Sequence, residues 1–153
     1  MSIIVHASCV ARGAAGVLLL GDSGSGKSDL ALRLIHEGWR LVADDRTVLK
    51  LSKTGLAACA PTSIQGLLEV RGLGIVALAA KPAHLKLAVQ LGGDGPRLPE
   101  AEVWTPHGLA GSVPLIRLPL IRLDGRHASD TAKIALALKA FSRGLFRDTF
   151  VTK

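Results

Sequence analysis

The stretch GVLLLGDSGSGKSDLALRLIHEGWRLVA, residues 16–43, carries four elements in a row. Val17 to Leu20 is an unbroken apolar run, short enough for a strand buried on both faces. A glycine loop follows. Leu30, Ala31, Leu34 and Ile35 then recur at helical spacing, with Asp29, Arg33 and Glu37 turned away and Gly38 where a C-cap belongs. Trp39 to Ala43 is a second short apolar run that stops at Asp44 and Asp45. The order strand, loop, helix, strand predicts an α/β fold, and it sets a carboxylate pair at a strand's C-terminal end, where open α/β sheets place ligands.

Downstream, Thr47 to Leu51 reads as a strand and Ser52 to Gly55 as a turn. Gly66 to Gly74 reads as a glycine-punctuated loop or bulged strand leading into Ile75 to Leu78. Leu85 to Leu91 alternates like a half-buried strand, and Gln90 to Glu100 is a polar, glycine- and proline-rich loop. Val113 to Leu123 alternates again, and Pro114 and Pro119 predict edge strands. Ser129 to Ser142 is helical, with Asp130 as the expected cap and Gly144 as the stop. No internal repeat or linker divides the chain, so residues 1–153 are expected to form a single α/β domain with an antiparallel component.

Of the 153 residues, 48% are hydrophobic and 20% charged, enough to build a core. The formal net charge of +7 favours acidic partners such as phosphates, nucleic acid or an acidic protein face. No apolar run reaches the roughly 20 residues of a membrane span, and the N-terminus lacks the layout of a secretory signal; a cytoplasmic protein is expected. Cys9 and Cys59 have neither CxxC nor ligand spacing and are expected to be buried thiols.

Gly21, Asp22, Ser23, Gly24, Ser25, Gly26, Lys27 and Ser28 match G-x-x-x-x-G-K-[ST] in full, between a predicted strand and a predicted helix. Backbone N–H groups of such a loop turn inward around a phosphate, and the helix N-terminus adds partial positive charge. Lys27 is placed to reach the outer phosphates and the Ser28 hydroxyl to bind Mg²⁺. Paired acids usually do no more than solvate a strand end. Here a phosphate loop leaves two tasks open, completing the metal shell and taking the acceptor's proton, and Asp44 and Asp45 can divide them. Adjacent strand residues point to opposite faces, so the strand must bend or end at the pair if both serve one site.

The loop GDSGSGKS, the strand end LVADDR (Leu41 to Arg46) and LLEVRGLGIV (Leu67 to Val76) together resemble the catalytic domain of the HPr kinase/phosphorylase family. The last motif is the specific one, since phosphate loops are widespread. The similarity runs from about His6 to Arg126. It implies a P-loop-containing, phosphoenolpyruvate-carboxykinase-like fold: a mixed sheet with flanking helices. It implies an enzyme that phosphorylates a serine of HPr or an HPr-like phosphocarrier, with ATP or pyrophosphate as donor and Mg²⁺ as cofactor. In the reverse direction such an enzyme removes the phosphate by phosphorolysis to give pyrophosphate, within regulation of the phosphotransferase system. Family members with both domains are hexamers, and this chain resembles the short forms that lack the N-terminal domain, so a homo-oligomer is expected.

By the same resemblance, Lys27 is the phosphate-binding lysine, Ser28 and Asp44 are metal ligands, and Glu69 is a further metal-linked carboxylate. Asp45 is the proton acceptor and donor, His6 its partner, and Arg97 the arginine that contacts phosphate during transfer. Arg122 and Arg126, in PLIRLDGR, resemble contacts used in dephosphorylation. The C-terminal helix, expected to carry Lys133, Lys139, Arg143 and Arg147, resembles a region used to dock the carrier and assemble subunits. Without the family, His6 reads as a surface histidine, Arg97 as a solubilising charge and Glu69 as a solvent-facing strand residue. One rival is a kinase of the same lineage acting on another protein or small-molecule hydroxyl. A nucleotide-sensing switch without catalysis is another. A nucleic-acid module finds no basic and aromatic stacking pattern to support it, and no nucleic-acid or membrane partner is expected.

Overall fold

The computed structural model describes residues 2–107 and 117–147. In chain order these form β1 (Ser2–Arg12), β2 (Ala15–Leu20), α1 (Lys27–His36), β3 (Arg40–Ala43), β4 (Arg46–Ser52), β5 (Gly55–Cys59), a 3₁₀ turn (Thr62–Ile64), β6 (Leu67–Val70), β7 (Gly74–Ala77), β8 (Ala83–Leu91), β9 (Glu102–Trp104), β10 (Leu118–Leu123) and α2 (Asp130–Arg143).

β2 is the apolar run read from the sequence. It pairs antiparallel with β1 and parallel with β8, and Val17, Leu18 and Leu19 are fully buried. Strands buried on both faces read as continuous apolar stretches, and β2 does so. The pairing path β2–β1–β4–β5–β8 returns to β2, and β10 and β9 extend it beyond β8. β10 runs parallel to β8, while β9 is antiparallel to β10, so the sheet is mixed. Ala7, Cys9, Leu18, Leu49, Leu56 and Ala88 fill the core on one face. On the other face Val10, Val17, Leu19, Leu87 and Val89 pack against Leu30 and Leu34 of α1 and Ile134 and Ala137 of α2.

Several readings change. β10 lies between β8 and β9 and is not an edge. It tolerates Pro119 because its pairing with β8 starts at Leu120, so no ladder bond to β8 is asked of the proline nitrogen. Residues 113–116 of that expected strand lie outside the described residues. Residues 66–78 form a two-stranded hairpin of β6 and β7 rather than a loop or one bulged strand. β8 starts at Ala83, and its alternation breaks where Gly16 faces Leu85 and Val17 faces Leu87, leaving Lys86 as the extra residue of a bulge. The cap of α2 is Ser129, whereas Asp130 is helical and its Oδ2 accepts the His127 N–H. Cys59 is half-buried, while Cys9 is fully buried and its thiol pKa is raised by desolvation.

Candidate active site

The loop between β2 and α1 turns on three glycines with left-handed or related φ: 154° at Gly21, 81° at Gly24 and 97° at Gly26. At Gly24 and Gly26 a Cβ would meet nothing within 4 Å, so backbone conformation alone selects glycine there. At Gly21 a Cβ would stand 2.5 Å from Ser25 Oγ. The Ser25 N–H donates to Asp22 O at 3.0 Å, and Leu30 N–H to Gly26 O at 2.9 Å opens the helix. The Lys27 ammonium is buried and donates to two carbonyls of its own loop, Gly21 O at 2.6 Å and Asp22 O at 3.0 Å.

β1 builds the aspartate pair. Its first half pairs with β4 and its second with β3, with Cys9 opposite Ala43 and His6 opposite Arg46. Asp44 and Asp45 therefore sit opposite Ser8 and Ala7, at a bend between two strands that share one partner. Asp45 is the sole non-glycine with positive φ among the described residues, at 66°, and the Arg46 N–H donates back to Asp44 O at 2.7 Å. This is a γ-turn, a strained conformation that persists only where its surroundings enforce it. The chain bends at the pair, which is one of the two ways both aspartates could serve one site. Asp44 is buried: its Oδ1 accepts the hydroxyls of Ser28 (2.7 Å) and Ser8 (3.0 Å), and its Oδ2 accepts the Glu69 N–H at 3.2 Å. Asp45 is exposed, and its Oδ1 lies 2.8 Å from His6 Nε2.

A cavity of about 590 Å³ opens beside these residues, with Lys27, Ser28, Asp45, Glu69, Arg71 and Arg126 in its wall. Arg126 donates to Gly24 O at 3.0 Å. The segment that carries it, residues 124–127, is held in place by Arg33 of α1, which donates to Gly125 O and to His127 O. Asp94 supplies a third tie: Oδ1 accepts the Asp124 N–H at 3.0 Å and Oδ2 lies 3.1 Å from His127 Nε2. That amide, followed by His127, holds the Asp94 carboxyl below the usual carboxylate range.

The structure thus brings His6, Lys27, Ser28, Asp44, Asp45 and Glu69 into one neighbourhood, together with the glycine loop. Arg97 is not brought there: it is exposed on the 92–101 segment, away from the cavity wall. Arg122 also points elsewhere and forms a forked pair with Glu102 at 2.9 Å, which lowers the glutamate's pKa. Sequence reasoning missed Ser8 and Arg33. Ser8 had a signal, because His6 and Ser8 are polar at period two within the mostly apolar middle of β1. Arg33 had none, since a polar-face helical arginine four residues after Asp29 looks like half of a surface ion pair, which it also forms.

The donor set fits Mg²⁺. Ser28 Oγ and the Asp44 carboxylate are hard oxygen donors side by side, and the carboxylate keeps lone-pair capacity beyond the three hydrogen bonds it accepts. No three His, Cys, Asp or Glu side chains converge as a cage among the described residues. Magnesium suits such a site, because it takes one or two carboxylates and completes its shell with water and substrate phosphates.

The chain is 35% identical to an HPr kinase/phosphorylase of Stenotrophomonas maltophilia over 89% of its length, and 40% identical to one of Brevibacillus brevis over 60%. It covers 48% and 29% of those proteins, so it spans about half or less of the curated relatives it matches. Its fold matches a solved HPr(Ser) kinase/phosphatase from Coxiella burnetii with a TM-score of 0.71 at 24% identity, over 94% of this chain and 92% of that one. The model described as HPr Serine kinase C-terminal domain matches residues 1–81, more than half of the chain and the part that holds the glycine loop, both aspartates and Glu69. The chain belongs to the HPr serine kinase C-terminal domain family.

Proposed function

We propose that this chain is the catalytic domain of a Mg²⁺-dependent kinase that transfers phosphate from ATP or pyrophosphate to a serine of an HPr-like phosphocarrier, and that it also runs phosphorolysis of the phosphoserine form. The observation that carries this reading is Asp45, which stands in the wall of the cavity that Lys27 and Ser28 also line, with one carboxylate oxygen held by His6 at 2.8 Å. Its other oxygen accepts no hydrogen bond from the described residues, which leaves it open to a hydroxyl proton.

In the forward direction the donor's phosphates settle in the glycine loop, and Lys27 exchanges the Gly21 and Asp22 carbonyls for phosphate oxygens. Ser28 and Asp44 would hold Mg²⁺, which supplies charge neutralisation on the phosphates. The acceptor serine oxygen attacks the terminal phosphorus, the bond to the leaving phosphate oxygen breaks, and Asp45 takes the serine proton. His6 orients that carboxylate and steadies it once protonated. In reverse, an oxygen of inorganic phosphate attacks the phosphoserine phosphorus, Asp45 returns the proton to the departing serine oxygen, and pyrophosphate is released. The charge clamp expected of Arg97 falls in this reading to Arg71 and Arg126, which already flank the cavity.

The same reading carries the finer expectations: a phosphoenolpyruvate-carboxykinase-like core, one domain over residues 1–153, a cytoplasmic setting and a homo-oligomer. No helix among the described residues is long and apolar enough to cross a membrane. The test is transfer of labelled phosphate from ATP, and separately from pyrophosphate, with Mg²⁺, onto HPr-type carriers whose acceptor serine is intact or changed to alanine. Labelling that depends on the serine is the expected result. Nucleotide binding without any labelling of the carriers overturns the assignment of acceptor.

A further inference from the structure

Ser8 is fully buried, and its hydroxyl has two partners. It donates its proton to Asp44 Oδ1 at 3.0 Å and accepts the backbone N–H of Asp45 at 3.1 Å. One hydroxyl thus bridges the two adjacent aspartates, the side chain of one and the main chain of the other. The Asp45 amide needs such a partner. At the bend the regular ladder between β1 and the β3–β4 strand is interrupted, and Thr47 Oγ1 makes the companion repair by donating to Ala7 O at 2.9 Å. Even a half-buried amide loses free energy without an acceptor, and a γ-turn at φ 66° relaxes unless it is held. His6 and Ser8 also lie on the same face of β1, two residues apart, so one strand grips Asp45 twice: His6 on its carboxylate and Ser8 on its amide.

We propose that Ser8 is a positioning residue that locks the Asp45 turn to Asp44, so that the proton-accepting carboxylate and the metal-side carboxylate keep a fixed spacing through the transfer step. The inference rests on the kinase reading above. Ser8 touches no substrate. It acts through Asp45, and a misplacement of about 1 Å at a reacting group can cost on the order of a hundredfold in rate.

Ser8→Ala removes the hydroxyl and Ser8→Thr restores it. The expected result for Ser8→Ala is a kcat lowered about ten- to a hundredfold with nucleotide KM within about twofold of wild type, and for Ser8→Thr a kcat within about threefold of wild type. Amide hydrogen exchange at Asp45 is the readout independent of activity: slow in the wild type and Ser8→Thr, and at least about tenfold faster in Ser8→Ala. Wild-type kcat in Ser8→Ala overturns the proposal, and so does an equal loss in Ser8→Ala and Ser8→Thr. An Asp45 amide already unprotected in the wild type overturns it without any variant having to fold. If the wild type labels no carrier, the kinase reading fails on its own, while the exchange experiment still decides whether Ser8 holds the turn.

Discussion

Lys27 and Asp45 carry different parts of the chemistry, and their variants should separate accordingly. Lys27 supplies the buried cation of the glycine loop, so Lys27→Ala is expected to lose both directions of transfer, with kcat/KM down by about a thousandfold or more, read by labelled phosphate. Among the described residues the Asp45 carboxylate bonds to His6 and to no residue of the loop. Asp45→Asn keeps the size of the side chain and removes the base, so nucleotide affinity by calorimetry should stay within about threefold of wild type while kcat falls by on the order of a hundredfold or more. Normal turnover in Asp45→Asn excludes the proton-transfer role. Lys27 and Asp45 were both legible in the chain because each belongs to a short contiguous motif. Ser8 carried only the weaker signal of a polar residue two positions from His6, and its role follows once the register of β1 sets it opposite Asp44.

Asp94 joins the 92–101 segment to the 124–127 segment, which Arg126 in turn ties to Gly24 of the glycine loop. A carboxyl whose pKa is lowered in the folded state stabilises that state at pH values above its ordinary pKa of 3.8, and the contribution disappears as pH falls through the lowered value. Protection of the Asp124 amide should therefore be steady near neutral pH and collapse below about pH 4, while Asp94→Ala should lack it throughout. Helix α1 is the other supporting element. Leu34 is fully buried between the sheet and the helices, and Leu34→Ala is expected to lower stability by about 2–5 kcal/mol with an unchanged denaturant m-value. α1 was evident from its periodicity, whereas β1 and β5 were missed: β1 mixes small, polar and apolar residues without strict alternation, and β5 is mostly alanine and leucine, a composition with little strand preference.

Across the whole molecule, ligand and fold are linked through the cavity. A nucleotide that binds only the folded chain, at about 100 times its Kd with Mg²⁺, adds about 2.7 kcal/mol. For a protein of this size that is a rise of roughly 5–10 °C in Tm, and it should vanish in Lys27→Ala; a thermal-shift series checks both. The sequence sufficed for the parts of this protein that are local: the strand–loop–helix unit, the glycine loop, the aspartate pair and the helix periods, because glycine conformation, capping and hydrophobic period act over a few residues. Tertiary structure alone decided that Ser8 ties Asp44 to Asp45, that Arg126 and not Arg97 stands in the cavity wall, and that β10 is interior. Those contacts join residues dozens of positions apart, and they follow from which strands pair and in what register, a long-range choice that no window of the chain encodes.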